Sequence, residues 1–250
     1  MPRIQLFCLP FAGGTSHSYK VFSPFLPEFI QLCPLDLPGH GARLSEPLLT
    51  SIEAMVDDFL TQVADRLCEP YALYGHSLGA CLGYIWVRQA IKRGLPLPTA
   101  LIVSGRTAPS TSLDPEVQAK RYLLSRNDLK QLLKELDGCS ADVLENEEVL
   151  AFFEPIIRAD FQACETFRYE QLPPFDIPIT AMMGLGEGLT YADISAWQQE
   201  TTCRLTIRRF AGRHFFIFES PAQVCHVITQ ALASVEVRVP DFGVTMLRTA

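Results

Sequence analysis

The spacing of apolar positions changes along the chain, and the changes mark the elements. Ile4–Leu9 is a short apolar run ending in Pro10-Phe11-Ala12-Gly13-Gly14, which reads as a strand entering a glycine-rich turn. Phe29–Leu37 reads as a second strand, closed by Pro38-Gly39-His40-Gly41. Thr50-x-x-Glu53 has the form of a capping box, and Ile52, Val56, Phe59, Val63 and Leu67 follow three or four apart. That spacing predicts a helix with one face turned inward. Tyr71–Tyr74 is a third strand, Leu78 to about Arg93 a helix stopped at Gly94, and Ala100–Ser104 a fourth strand. Strands separated by helices predict a mostly parallel sheet with helices on both faces.

After Pro109 the pattern turns helical. Asn127 is the expected cap of a helix carrying Leu129, Leu132, Leu133 and Leu136 on one stripe and stopped at Gly138. Two more helical stretches run from Asn146 through Phe153 and from Pro155 to about Phe167. This insertion, about 108–170, is longer than an ordinary connection. Alternation resumes with a strand at Ile177–Met183, a helix at Ile194–Thr201, a strand at Cys203–Phe210 and a closing helix at Ala222–Ala233. In the tail, 234–250, Val235, Val237 and Val239 alternate like a strand, and the rest has no assignment.

Composition narrows the class. With 250 residues, 48% hydrophobic and 20% charged, the chain suits one α/β domain and excludes a disordered, collagen-like or coiled-coil protein. A net charge of −7 argues against nucleic-acid binding. No apolar run reaches the length of a membrane span, since Tyr71–Val87 is interrupted by His76, Ser77 and glycines. The N-terminus lacks the pattern of a signal peptide, so a cytoplasmic protein is expected, with a monomer as the simplest state. The eight cysteines include no CxxC and no zinc-finger spacing, which points to reduced, mostly buried thiols and no metal site.

Chemistry concentrates in Gly75-His76-Ser77-Leu78-Gly79, a G-x-S-x-G between a predicted strand and a predicted helix. In that context the glycines permit a strained turn that lifts the Ser77 hydroxyl above the sheet, and the Leu78 N–H at the helix start can face an oxyanion. A serine needs a base. His76 points away from its neighbour, His17 and His40 sit in loops where shaping is the simpler role, and His226 falls in a helix. His214 follows the last strand, where the order Ser, acid, His places the base. The acid belongs in the loop after Ile177–Met183, where Glu187 is the only carboxylate of Gly184–Gly188. Asp193, at a helix start, is the alternative acid, although capping explains it more simply. A second oxyanion donor is expected from the first turn, Ala12 ahead of Phe11. The glycines at 184, 186 and 188 do not complete a dinucleotide fingerprint, and no P-loop is present.

Taken together, Pro10–Gly14, Pro38-Gly39-His40-Gly41-Ala42-Arg43, Gly75–Gly79, Ser104-Gly105-Arg106 and Gly212-Arg213-His214-Phe215-Phe216 resemble the type II, or external editing, thioesterases of non-ribosomal peptide and polyketide synthesis. Pro155–Phe161 with Glu165 is similar to the lid segment of that family. The likeness runs in order over roughly residues 4–232. It implies an α/β-hydrolase fold with a helical lid, and hydrolysis of acyl or peptidyl thioesters on the phosphopantetheine arm of carrier proteins. Such editing clears misprimed or stalled intermediates. No cofactor of the enzyme is implied, since the substrate itself carries the phosphopantetheine. Position by position, Ser77 becomes the nucleophile, His214 the base and Glu187 the acid, with Ala12 and Leu78 at the oxyanion. The chain departs from the family in having Glu187 for the usual Asp and Arg213 for the usual Gly. Basic residues of the insertion, Lys120, Arg121, Arg126, Lys130 and Lys134, could face an acidic carrier protein or simply form a solvated helix face, which is the commoner case; Arg158 and Asp160 are expected to serve packing. Two other functions stay open: an esterase acting on a free small molecule, and a non-catalytic carrier-binding protein with a degenerate triad.

Overall fold

The computed structural model describes residues 3–111, 120–136 and 144–234. Six strands, β1 (Ile4–Leu9), β2 (Ile30–Pro34), β3 (Tyr71–His76), β4 (Leu101–Ser104), β5 (Ile179–Gly184) and β6 (Thr206–Phe210), form one sheet in the order β2-β1-β3-β4-β5-β6. Every neighbouring pair is parallel. Parallel strands are covered on both sides, so β1, β3 and β5 are buried at every position and read as mostly apolar runs, with Gln5, His76 and Thr180 as their buried polar members.

The pleat divides the core in two. Phe7, Leu9, Leu73, Leu101 and Val103 face α1 (Ile52–Gln62) and α2 (Leu78–Arg93), with Trp86 buried between. Leu6, Cys8, Tyr74 and Ile102 face the 3-10 helix Ser16–Phe25 and the closing helix, where Tyr19, Phe22, Val224 and Ile228 fill the space. The predicted α/β-hydrolase architecture, with helices on both faces, is the observed one.

Between β4 and β5 the insertion contributes α3 (Arg126–Glu135) and α4 (Glu147–Thr166). Leu129, Leu133, Leu150, Ile157 and Phe161 form their shared apolar cluster. Ion pairs Arg126–Glu154 at 2.7 Å and Lys130–Glu147 at 3.1 Å join the two helices, and Arg121 pairs with the buried Glu165 of α4 at 2.5 Å. Three of the five basic residues weighed as carrier contacts are thus engaged within the insertion. Shorter helices α5 (Tyr191–Ser195) and α6 (Phe216–Glu219) precede the closing α7 (Pro221–Ala233).

Local details differ from the sequence expectation at the ends of elements. The cap of α1 is Ser51, whose hydroxyl accepts the Ala54 N–H, and not Thr50. The cap of α3 is Ser125 and not Asn127, because Ser125 Oγ accepts the Asp128 N–H. Two expected helices are one: α4 runs from its Asn146 cap straight through Pro155. Proline there forfeits a single intrahelical hydrogen bond, and burial of Ile156, Ile157 and Phe161 keeps the helix whole. The expected stop at Gly138 and the tail beyond 234 lie outside the described residues.

Candidate active site

All six strands run the same way, so their C-terminal ends share one edge, and the turns that leave β1, β3, β5 and β6 meet there. Ser77 is the residue between β3 and α2. Its φ of 55° is the only positive value for a non-glycine among the described residues. The turn is this tight because its glycines let backbone touch backbone. A Cβ on Gly75 would stand 2.0 Å from the Gly79 carbonyl oxygen, and one on Gly79 would stand 2.3 Å from that of Leu9. Only glycine fits at either place, and the Ser77 side chain is pushed to the rim, partly exposed.

Glu187 and His214 meet across the ends of β5 and β6. Glu187 Oε2 lies 3.0 Å from His214 Nδ1, and Glu187 Oε1 accepts the Gly184 N–H at 2.7 Å. The acid side chain is fully buried while the imidazole is 18% exposed. A carboxylate only accepts, so Nδ1 carries the hydrogen and the Nε2 lone pair is left for a proton from elsewhere. The longer glutamate is used at both oxygens, one to set its own loop and one to orient the imidazole. Asp193 is placed differently: its carboxylate accepts from the Thr190 N–H and hydroxyl at 2.7 Å and caps α5. These hydrogen bonds hold its carboxyl below the usual range.

Ser77, His214, Ala12 and Gly13 line one cavity of about 280 Å³. Phe11 and Phe215 line it from the sheet side, and Leu133, Phe153, Ile157 and Phe161 from the insertion. Pro10 has no N–H, and the Pro10–Gly14 turn leaves two amides, those of Phe11 and Ala12, without an acceptor among the described residues. Gly14 N–H donates to the Phe11 carbonyl at 2.7 Å and Gly13 N–H to Asp160 Oδ2 at 2.7 Å. Among the described residues neither the Ala12 amide nor the Leu78 amide at the start of α2 has an acceptor. Arg213 donates to the Glu135 carbonyl at the end of α3, where a cation is favoured, and so ties the His214 turn to the insertion.

This edge of the sheet is that of a known family. A thioesterase-domain family model matches residues 4–232. The chain belongs to the thioesterase family. Among relatives of this thioesterase, the gramicidin S biosynthesis protein GrsT of Aneurinibacillus migulanus is 32% identical, over 92% of this chain and 89% of its own. The solved structure of RedJ, a thioesterase of the prodiginine pathway in Streptomyces coelicolor, superposes with a TM-score of 0.86 at 30% identity, covering 92% of this chain and 91% of RedJ. The type II thioesterase BorB of the borrelidin cluster superposes with a TM-score of 0.83 at 32% identity, covering 93% and 95%. The resemblance to type II thioesterases of peptide and polyketide synthesis holds on both counts, and the protein is an enzyme of thioester hydrolysis.

Two features of the site are not readable from motifs. His76 is fully buried, its Nδ1 2.9 Å from Ser104 Oγ, which in turn lies 3.0 Å from the Tyr74 hydroxyl. Asp160, expected to serve packing, instead reaches the first turn and His40. Contacts between residues 120 or more positions apart leave no mark in local spacing. Among the described residues no group of His, Cys, Asp and Glu is arranged to hold a metal ion, and no helix is long and apolar enough to cross a membrane.

Proposed function

We propose that the enzyme removes acyl or peptidyl groups from the phosphopantetheine thiol of carrier proteins, clearing misprimed or stalled chains on a peptide or polyketide synthase. The observation that carries this reading is a single cavity lined by a serine on a strained elbow, an imidazole oriented by a buried carboxylate, and the Phe11–Ala12 turn with its unspent amides. The relatives named above come from gramicidin S, prodiginine and borrelidin biosynthesis, and BorB is a type II thioesterase.

In this reading His214 Nε2 takes the Ser77 proton, and Ser77 Oγ attacks the thioester carbonyl. The Ala12 and Leu78 amides stabilise the oxyanion, the contribution that is usually largest in acyl transfer. His214, now protonated, gives its proton to the departing thiolate. Water, deprotonated by the same imidazole, then releases the acid and frees Ser77. Glu187 holds the tautomer and stabilises the imidazolium. The helical insertion serves as a lid, with Phe153, Ile157 and Phe161 over the acyl chain. The partners are the carrier proteins of a synthase, and the enzyme works in the cytoplasm without a cofactor of its own.

The test is intact-mass kinetics on acetyl- and longer acyl-loaded carrier proteins, beside matched free thioesters and Ser77→Ala. Ser77-dependent loss of acyl groups, faster from the carrier, is expected. Preference for the free compounds would reassign the enzyme to small-molecule esters, and carrier binding without turnover would leave a binding protein.

A further inference from the structure

The first turn is held from below by two carboxylates. Asp36, two residues past β2, accepts the Ser16 N–H at 2.6 Å and its hydroxyl at 2.9 Å, which fixes the exit of the turn. Asp160, on α4, holds its middle. Asp160 has no exposed surface, and its Oδ2 alone receives both the Gly13 N–H at 2.7 Å and His40 Nε2 at 3.0 Å. His40 is 2% exposed, and its Nδ1 lies 3.0 Å from the Pro38 carbonyl.

These contacts specify the protons. A carbonyl only accepts, so Nδ1 bears a hydrogen; Nε2 faces a carboxylate oxygen, so it bears one as well. Burial disfavours the charge on His40, but the hydrogen bond and charge of Asp160, aided by Asp36, raise its pKa above the ordinary imidazole value. The pair is closed from water, and its geometry favours the charged form of His40. A neutral oxygen could accept both hydrogen bonds, but only a carboxylate adds the charge that favours the second proton on His40. An amide in place of Asp160 presents either oxygen, leaving His40 without a base for its second proton, or nitrogen, which opposes the Gly13 N–H.

We propose that Asp160 and His40 are positioning residues for hydrolysis, whose buried pair pins the Gly13 amide and thereby sets the adjoining Ala12 N–H toward the oxyanion. The inference rests on the reading of Ala12 as an oxyanion donor given above. The peptide planes on either side of Ala12 share its Cα, and Gly13, with φ +74°, has no side chain to hold the turn by itself. Because Asp160 belongs to the helix that also carries Ile157 and Phe161, the donor is formed only while that helix is seated over the cavity.

The experiment compares wild type, Asp160→Asn, His40→Gln and His40→Leu on the acyl-pantetheine thioester that wild type turns over fastest. Asp160→Asn is expected to lower kcat about tenfold to a hundredfold, somewhat less than the 10²–10³ of deleting a donor outright, with KM within about twofold. His40→Gln, whose amide N–H can reach Asp160, recovers part of the rate that His40→Leu loses. Affinity for a trifluoromethyl ketone analogue, which forms a tetrahedral oxyanion on Ser77, falls with kcat in Asp160→Asn, while affinity for the matching thioether is kept. Equal losses for ketone and thioether, or an unchanged kcat, would overturn the proposal. Wild-type turnover that survives Ser77→Ala would instead overturn the underlying reading. If Asp160→Asn does not fold, the His40 pair decides: no difference between Gln and Leu counts against the proposal.

Discussion

The imidazoles of His76 and His214 lie 4.8 Å apart, centroid to centroid, and only His214 has a carboxylate behind it. Burial, and after it the neighbouring His214, hold the His76 pKa well below the ordinary imidazole value. His76 therefore stays neutral, and when His214 takes up a proton no second charge opposes it.

The two buried histidines give opposite pH slopes to stability. His76 is depressed in the folded state, so its contribution is present above the unfolded imidazole value near 6.5 and is lost as pH falls below it. His40 is raised, so its contribution is complete below about 6.5 and is lost as pH climbs through its folded value. Thermal melts across pH 5–9 check the signs. The advantage of wild type over His40→Gln shrinks toward high pH, and that over His76→Asn shrinks toward low pH.

Strain at Ser77 separates stability from activity. A side chain at φ 55° stores about 1–3 kcal/mol that glycine does not, against roughly 1 kcal/mol of extra chain entropy for glycine. Ser77→Gly is expected to melt above Ser77→Ala, which keeps the Cβ. Both lose turnover by about 10⁶-fold, the scale seen when a triad serine is removed. A Gly variant melting below the Ala variant would contradict the strain assignment.

Glu187 is expected to resist shortening. Its two oxygens serve Gly184 and His214 separately, and an aspartate in the same backbone cannot keep both. Glu187→Asp lowers kcat about tenfold, and Glu187→Gln, which favours the wrong tautomer, about 10³–10⁴-fold. Steady-state kinetics on one thioester suffice, and an aspartate variant as fast as wild type would count against the two-handed role.

Ser104 bridges the Tyr74 hydroxyl and His76 Nδ1 inside the core. Removing the bridge in Ser104→Ala strands two buried polar groups, at about 1–3 kcal/mol each in the worst case. Urea unfolding is expected to show that loss, with kcat lowered less than tenfold because His214 keeps its carboxylate.

The sheet and the elbow were legible because their signals are local. Mostly apolar runs mark β1, β3 and β4, and two glycines flank Ser77 at a spacing that a tight strand-to-helix turn requires. Helix ends were less legible: Thr50 and Ser51, or Ser125 and Asn127, are all competent caps, and tertiary packing chose between them. Pro155 misled for the same reason, since the burial of Ile156 and Ile157 outweighs one missing hydrogen bond. Least legible was Asp160, whose partners stand 120 and 147 positions away. A carboxylate in the middle of an apolar helical stripe was the one trace of it.

Helix α4 is twenty residues long, about 30 Å of unbroken rod. Its second turn and its middle carry Phe153 and Ile157 at the cavity, while Ala163 and Cys164 near its far end are packed into the main core beside Phe167. With no break at Pro155, the roof cannot fold back in the middle. Admitting a bulkier acyl group means tilting the whole rod about its rooted end, so small shifts near Cys164 become large ones at Phe153, and substitutions deep in the core gain leverage over which chains can enter.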